Sequence, residues 1–225
     1  MRFAQVLQSL NHVLEVLKPF IQANHIEADE AARQISWRGR VKGIMKGVYY
    51  PIEYQHLIDT RQYSLLLSNG SFLQFFYAFK EDSSVQSVRL AFYPAPVSTE
   101  ETADDMLDAA DEALTRDDDA LYEHLFNWVD LIEAKNVHPA NTSHVRFDFD
   151  STVEVHEKAH IQFGAITEFR IGADFIPLPY AFVELVSALI SGLGPLDNAH
   201  LNHAHNNCAR LQTVARQISV RARPR

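Results

Sequence analysis

The sequence predicts an α+β fold, an antiparallel sheet of about six strands with helices packed mainly on one face. Runs of strand-like residues alternate with runs of helix-like residues, as an α+β fold requires. Asn69-Gly70 lies between two apolar runs in YSLLLSNGSFLQFFYAF, the strongest short-range hairpin signal. HVRFDFD, residues 144–150, alternates polar and apolar residues with period two, as a strand with one core face does.

The elements follow in order. Phe3, Val6, Leu7, Leu10, Val13, Leu14, Leu17 and Phe20 recur at helical spacing and give an amphipathic first helix. ISWRGRVKGIMKGVYY, from Ile35, mixes β-branched and aromatic residues with glycines and reads as an opening strand with a bend or bulge. After the hairpin, VQSVRLAFYPAP is a further strand, stopped by Pro94 and Pro96. Ser98 reads as a helix N-cap with Glu101 at the capping-box position, opening an acidic helix. Leu121, Leu125, Trp128, Val129 and Ile132 mark a second helix, and NVHPAN (136–141) a turn. HVRFDFD, KAHIQFG and TEFRIG then read as three strands. FIPLPYAFVELVSALISG is a helix entered through Pro177 and Pro179 and ended at Gly192 or Gly194. Leu201, Ala204, Cys208, Leu211, Ala215 and Ile218 make the stripe of a last helix, loaded at its end with Arg216, Arg221, Arg223 and Arg225. Residues 1–194 are expected to be one domain and 195–225 a helical extension with a basic tail.

Composition narrows the class. A chain of 225 residues with 47% apolar and 22% charged residues has ordinary globular composition and can bury a core without staples. A single cysteine, Cys208, excludes an internal disulfide and favours a reducing compartment. No run approaches the ~20 apolar residues of a membrane span, and MRFAQVLQSLNHVLEVLKPF has no secretory pattern. A cytoplasmic protein that does not enter a membrane is the expectation. Residues 98–119 hold ten acids against Arg116, so this stretch carries the whole net charge of −9, and the rest balances at 19 of each sign. The acidity belongs to one element, which fits a solvated helix face or a docking face for a basic partner.

The candidate site lies on the polar faces of the three late strands. His144, Arg146, Asp148 and Asp150 share one face of the first, His160 and Gln162 one face of the second, Glu168 and Arg170 one face of the third. In an antiparallel meander with matched registers these faces coincide, with opposed side chains about 5 Å apart. Arginine forks hold phosphate or carboxylate, and histidine moves protons near neutral pH. The set suits phosphodiester cleavage: His160 as general acid or base, Asp148 as its orienter, Arg146 and Arg170 as phosphate clamps, and His156 as second proton carrier or metal ligand. His144, Gln162 and Asp150 would complete the ligand contacts. The plainer alternative is a solvated sheet face with cross-strand ion pairs.

Other readings stay open beside it. Asp148, Asp150, His156 and His160 include ligand types for a divalent metal, without any named metal spacing, so no cofactor is assigned. His200, His203 and His205 read as surface histidines and Cys208 as a buried thiol rather than a zinc site. No glycine-rich phosphate loop, nucleophile elbow, dinucleotide fingerprint or calcium loop occurs.

YSLLLSNGSFLQFFYAF, VRLAFYPAP, HVRFDFD with HEKAHIQFG, EFRI and PLPYAFVELV, in that order, resemble an uncharacterised prokaryotic family known as domain of unknown function 2290, over about residues 35–190. The resemblance implies that Arg146, Asp148, His156, His160 and Arg170 belong to the family pattern, and it implies no activity. A looser likeness in residue types is to small RNA-cleaving toxins of toxin–antitoxin pairs. Two functions are therefore expected as alternatives. One is an RNase-like, phosphodiester-cleaving enzyme of phage defence or a toxin–antitoxin pair. The other is a non-catalytic module that holds an anionic ligand on the same face and docks a protein partner through the acidic or C-terminal helix. A homodimer through the C-terminal stripe is left open.

Overall fold

The computed structural model describes residues 1–41, 48–97, 100–137, 143–154, 157–164, 170–193, 208–211 and 219–220. The chain opens with α1 (Phe3–Leu17) and a single 3-10 turn, then three short strands, β1 (Ile21–Asn24), β2 (Ile26–Asp29) and β3 (Gln34–Trp37), and α2 (Tyr50–Asp59). The central strands follow: β4 (Leu65–Leu67), β5 (Phe72–Phe79) and β6 (Val85–Tyr93). Two helices, α3 (Ala103–Thr115) and α4 (Asp119–Lys135), separate these from β7 (Val145–Asp150), β8 (Ala159–Phe163) and β9 (Arg170–Ala173). Last come β10 (Phe175–Pro177), α5 (Pro179–Val186), β11 (Cys208–Arg210) and β12 (Ser219–Val220).

Strands β4 to β9 form an antiparallel meander in sequence order, extended by β1 at one edge and by β12, parallel to β9, at the other. The β2–β3 pair joins through β3 to β5, and β10 and β11 make a separate two-stranded sheet. This is the α+β fold with an antiparallel sheet that the alternation predicts.

The period-two pattern sorts the meander into two covered faces. Leu73, Phe75 and Tyr77 of β5, Val88, Leu90 and Phe92 of β6, Val145, Phe147 and Phe149 of β7, and Ala159 and Ile161 of β8 share one core with Val6, Leu10, Val13 and Leu17 of α1 and Tyr180, Phe182, Val183 and Val186 of α5. The α1 set falls on one helix stripe, so the helix lies flat on the sheet. Ser9 of α1 also accepts the Tyr180 amide at 2.9 Å, which satisfies a donor at the start of α5. On the opposite face α2 packs Tyr50, Tyr54, Leu57 and Ile58 against Phe72, Ala91 and Tyr93. The α3–α4 pair forms a third cluster, in which Met106, Trp128 and Val129 meet Tyr49 just before α2.

Several elements differ from the sequence reading. Tyr50, read as the last residue of the opening strand, instead starts α2, and residues 51–59, which carried no assignment, complete it, with Pro51 in its first turn, where a missing N–H costs nothing. Strands β1 and β2 carry little apolar signal and form by pairing with β4 and β3. The acidic helix is capped by Thr102 rather than Ser98, and Asp105 rather than Glu101 returns the bond to the cap amide. The helix expected over 201–218 is interrupted, because Cys208–Arg210 pairs antiparallel with β10, and Ser219–Val220 pairs with β9. His200, His203, His205 and the remaining residues of that stripe lie outside the described residues, as do Ser98 and the core of the NVHPAN turn.

Asn69-Gly70 does close the β4–β5 hairpin, through a three-residue loop. The Gly70 amide bonds the Leu67 carbonyl at 2.9 Å, the Leu67 amide bonds the Ser71 carbonyl at 2.8 Å, and Gly70 takes φ +83°. That is a turn followed by a left-handed residue. A Cβ on Gly70 would also lie 3.3 Å from both Ala95 Cβ and the Tyr54 hydroxyl. Gly70→Ala is expected to lower stability by about 1–2 kcal/mol from the left-handed conformation alone. Urea unfolding measures this, and an unmoved midpoint would contradict the turn geometry.

Candidate anion-binding site

The register brings the expected polar faces together in two rows across the sheet. Arg89 of β6, Asp148 of β7 and His160 of β8 are direct cross-strand neighbours, flanked by Phe76 and Gly172. Beside them run Gln74, Ala91, Arg146, Gln162 and Arg170. The meander thus does to Arg146, Asp148, His160, Gln162 and Arg170 what the alternation requires. Glu168 and His156 lie outside the described residues.

This face is not a solvated one. Arg146 and His160 are buried, and His144, just ahead of β7, is fully buried. Burial of a guanidinium requires an acceptor, and Asp148 supplies it. Arg146 Nη2 donates to Asp148 Oδ2 at 2.6 Å, and Arg89 Nε lies 3.2 Å from Oδ1. One carboxylate therefore balances two arginines. His160 Nε2 is 3.9 Å from Oδ2, beyond hydrogen-bond reach, so Asp148 does not orient His160 as a triad carboxylate would.

The other expected residues are placed less centrally. Arg170 is exposed at the end of its row. Gln162 donates to the Gly164 carbonyl at 3.3 Å. Asp150 turns into its own loop, where the Thr152 hydroxyl and amide hold its carboxyl below the usual carboxylate range. His144 is drawn toward α2. Its Nδ1 lies 3.3 Å from Glu53 Oε2, and the Tyr93 hydroxyl donates to Glu53 Oε1 at 3.2 Å. Glu53, His144 and Tyr93 form a buried polar cluster between α2 and the sheet.

Among the described residues this face carries a cleft of about 210 Å³ whose walls include Trp37, Arg40, Glu53, His56, Gln74, Arg89 and Arg146. His160 is not among its lining residues. Three guanidiniums thus meet one cleft. Arg40 stacks on Phe76, its guanidinium carbon 3.7 Å from the ring centroid. Its Nε is buried and meets no hydrogen-bond acceptor among the described residues. Burial and the nearby charge of Arg89 lower Arg40 to about 10, so it remains a cation at neutral pH. Gln62 fixes the segment that carries it. Its Oε1 accepts the Trp37 indole at 3.2 Å and the Val41 amide at 2.8 Å, and its Nε2 donates to the Gly39 carbonyl at 3.1 Å.

The sequence reading did not include Arg40, Glu53, His56, Gln62, Gln74 or Arg89. Arg89 and Gln74 did carry a signal, as polar residues inside the apolar runs VRLAFY and FLQFFYAF. Among the described residues no group of three His, Cys, Asp or Glu is placed to hold a metal ion. No described helix is long and apolar enough to cross a membrane.

Comparison with known protein families gives a match. The model of a family described as "Uncharacterized conserved protein (DUF2290)" covers residues 20–189. No curated protein and no solved structure matches the chain.

Two expectations follow from the burial. Asp148→Ala strands the buried Arg146 and should cost about 3–5 kcal/mol, whereas Glu27→Ala, which breaks the exposed pair with Arg38, should cost less than about 1 kcal/mol. Equal midpoints in urea for the two variants would refute the buried role of Asp148. Burial also pushes the Tyr50 and Tyr93 phenols well above their ordinary value of 10.0. A phenol raised in the fold leaves stability intact below the unfolded value and removes it as pH climbs above that value. Phenolate absorbance from these buried rings should therefore appear together with loss of near-ultraviolet dichroism in an alkaline titration, and ionisation in a still-folded protein would be the contrary result.

Proposed function

The chain belongs to the DUF2290 family of uncharacterized conserved proteins, and we propose that it binds a phosphate-bearing ligand in the arginine-lined cleft and cleaves a phosphodiester there. The observation that carries this reading is Arg40. Asp148 serves Arg89 and Arg146, but the buried Nε of Arg40 has no acceptor among the described residues. An unmatched buried donor is costly, and a ligand oxyanion is the group that would satisfy it. Arginine forks also stabilise the charge that develops on a phosphorane-like transition state.

The acid–base groups would come from α2. Glu53 and His56 are three residues apart, so they lie on one helix face, and both line the cleft. In this reading Glu53 accepts the proton of the attacking hydroxyl and His56, which is exposed, gives one to the leaving oxygen. His160, the acid–base residue suggested by residue type, lies off the cleft and becomes a packing residue.

A second reading is a phosphate-binding module without chemistry. One observation favours it: Glu53 is buried and already takes the Tyr93 hydroxyl, as a structural carboxylate does.

End-labelled RNA and DNA, incubated with and without EDTA, separate the two when cleavage and equilibrium binding are read side by side. Arg40→Ala should weaken binding about 10- to 100-fold, the size of a hydrogen bond to a charged group. Glu53→Gln keeps the acceptor for Tyr93 and should abolish cleavage with binding retained. Binding without cleavage in the wild type gives the module, and loss of cleavage on His160→Ala alone would return the catalytic role to that residue. No binding to either nucleic acid would sink both readings.

A further inference from the structure

The size and lining of the cleft bear on which form of phosphate it takes, on the premise that the arginine cleft is a phosphate site. An internal phosphodiester offers two non-bridging oxygens and a single negative charge. A terminal phosphomonoester offers three oxygens and about −1.5 to −2 charges. Here three guanidiniums, those of Arg40, Arg89 and Arg146, converge on one cleft of about 210 Å³. That volume is below the roughly 300–1,000 Å³ of ordinary small-molecule sites, and suits a phosphate with its attached sugar.

A feature expected of a site that reads along a strand is missing from the described face. Binders of single strands present exposed rings on which successive bases stack. The rings beside this cleft are buried instead: Trp37 is 5% exposed, Phe76 8% and Tyr93 3%, and Arg40 covers Phe76. The acidic α3–α4 pair is anchored beside this wall. Trp128 of α4 packs on Tyr49, 4.5 Å between centroids, at the start of the helix that carries Glu53 and His56.

Under the second of the two readings, phosphate binding without cleavage, we infer that the cleft recognises a terminal phosphomonoester, carried by a nucleotide or by the phosphorylated end of an oligonucleotide, in preference to an internal phosphodiester. Arg40 brings the buried donor that no described acceptor meets, Arg89 and Arg146 share the single Asp148 carboxylate, and the enclosed rings leave a base without a stacking platform.

The test is a competition assay on the full chain with one labelled 5′-phosphorylated oligoribonucleotide. Competitors are the same sequence with a 5′-phosphate, with a 3′-phosphate, with hydroxyl ends and as a closed circle, together with a nucleoside monophosphate and inorganic phosphate. Phosphorylated ends should compete at least about tenfold better than the hydroxyl-ended and circular forms, and Arg40→Ala should erase the difference. A nucleoside monophosphate that competes as well as the phosphorylated oligonucleotide assigns the site to free nucleotides, and one that fails assigns it to chain ends. Circular and hydroxyl-ended forms competing equally well, with Arg40→Ala weakening all of them alike, would overturn the terminal-phosphate inference and leave the phosphate-binding reading standing. Failure to bind any member of the series would bring down that reading, and this inference with it.

Discussion

The pairing of Asp148 with Arg146 and Arg89 is the interaction on which the polar face of this protein depends. The sheet is covered on both sides, by α1 and α5 on one and by α2 on part of the other. A covered face is ordinarily apolar, because a buried charge without a partner costs several kcal/mol. Asp148 allows an exception by contacting one arginine on its own strand and another across the β6–β7 ladder. Its position on a central strand gives it neighbours on both sides, which an edge strand could not. The register that sets this is in turn fixed by the core face, since slipping β7 by one residue would exchange Phe147 and Phe149 for Arg146 and Asp148 in the apolar layer.

Much of this was legible in the sequence, and the reason is periodicity. HVRFDFD alternates so strictly that its two faces could be assigned residue by residue, and the meander that aligns Arg146 with Gln162 and Arg170 follows from short connections between successive strands. The parts that were not legible lack a period. Arg40 follows β3 in an irregular segment, where no repeat says which way a side chain points. Glu53 sits in a ten-residue helix opened by Tyr50-Pro51, whose aromatic residues resemble the strand-like run before it. The C-terminal stripe illustrates the converse error. Three- and four-residue spacing suggested a helix through Cys208, but β10 offers an unpaired edge, and backbone pairing to that edge outweighs a weak local pattern.

Depth was the other quantity that sequence could not supply. Alternation places His144, Arg146, Asp148 and His160 on one face without saying whether water or another layer lies above it. Because α2 lies above part of it, His144 is turned toward Glu53 and becomes part of the packing between layers. Residue type alone suggested that histidines would carry the chemistry, whereas burial moves attention to the arginines at the open margin.

In the proposed function the cation with a buried unmatched donor, Arg40, is a different one from the cation that the sheet holds, Arg146. Arg146 is held by Asp148 within the sheet and would be costly to lose in any state of the protein. Arg40 comes from outside the meander and is held by geometry rather than by charge. Gln62 uses both faces of its amide on the segment from Trp37 to Val41, and its carbonyl accepts Gln74 Nε2 at 2.6 Å, which links that segment to β5. The ring of Phe76 then supports the guanidinium from below. A flexible arginine loses rotamer freedom when it closes on a ligand, at about 0.5–1.5 kcal/mol. Here that ordering is imposed by folding, before any ligand arrives. Arg40 thus combines a buried donor that no described residue accepts with a position fixed by its neighbours, and that combination is what supports the proposed anion site at the edge of a core that would otherwise exclude charge.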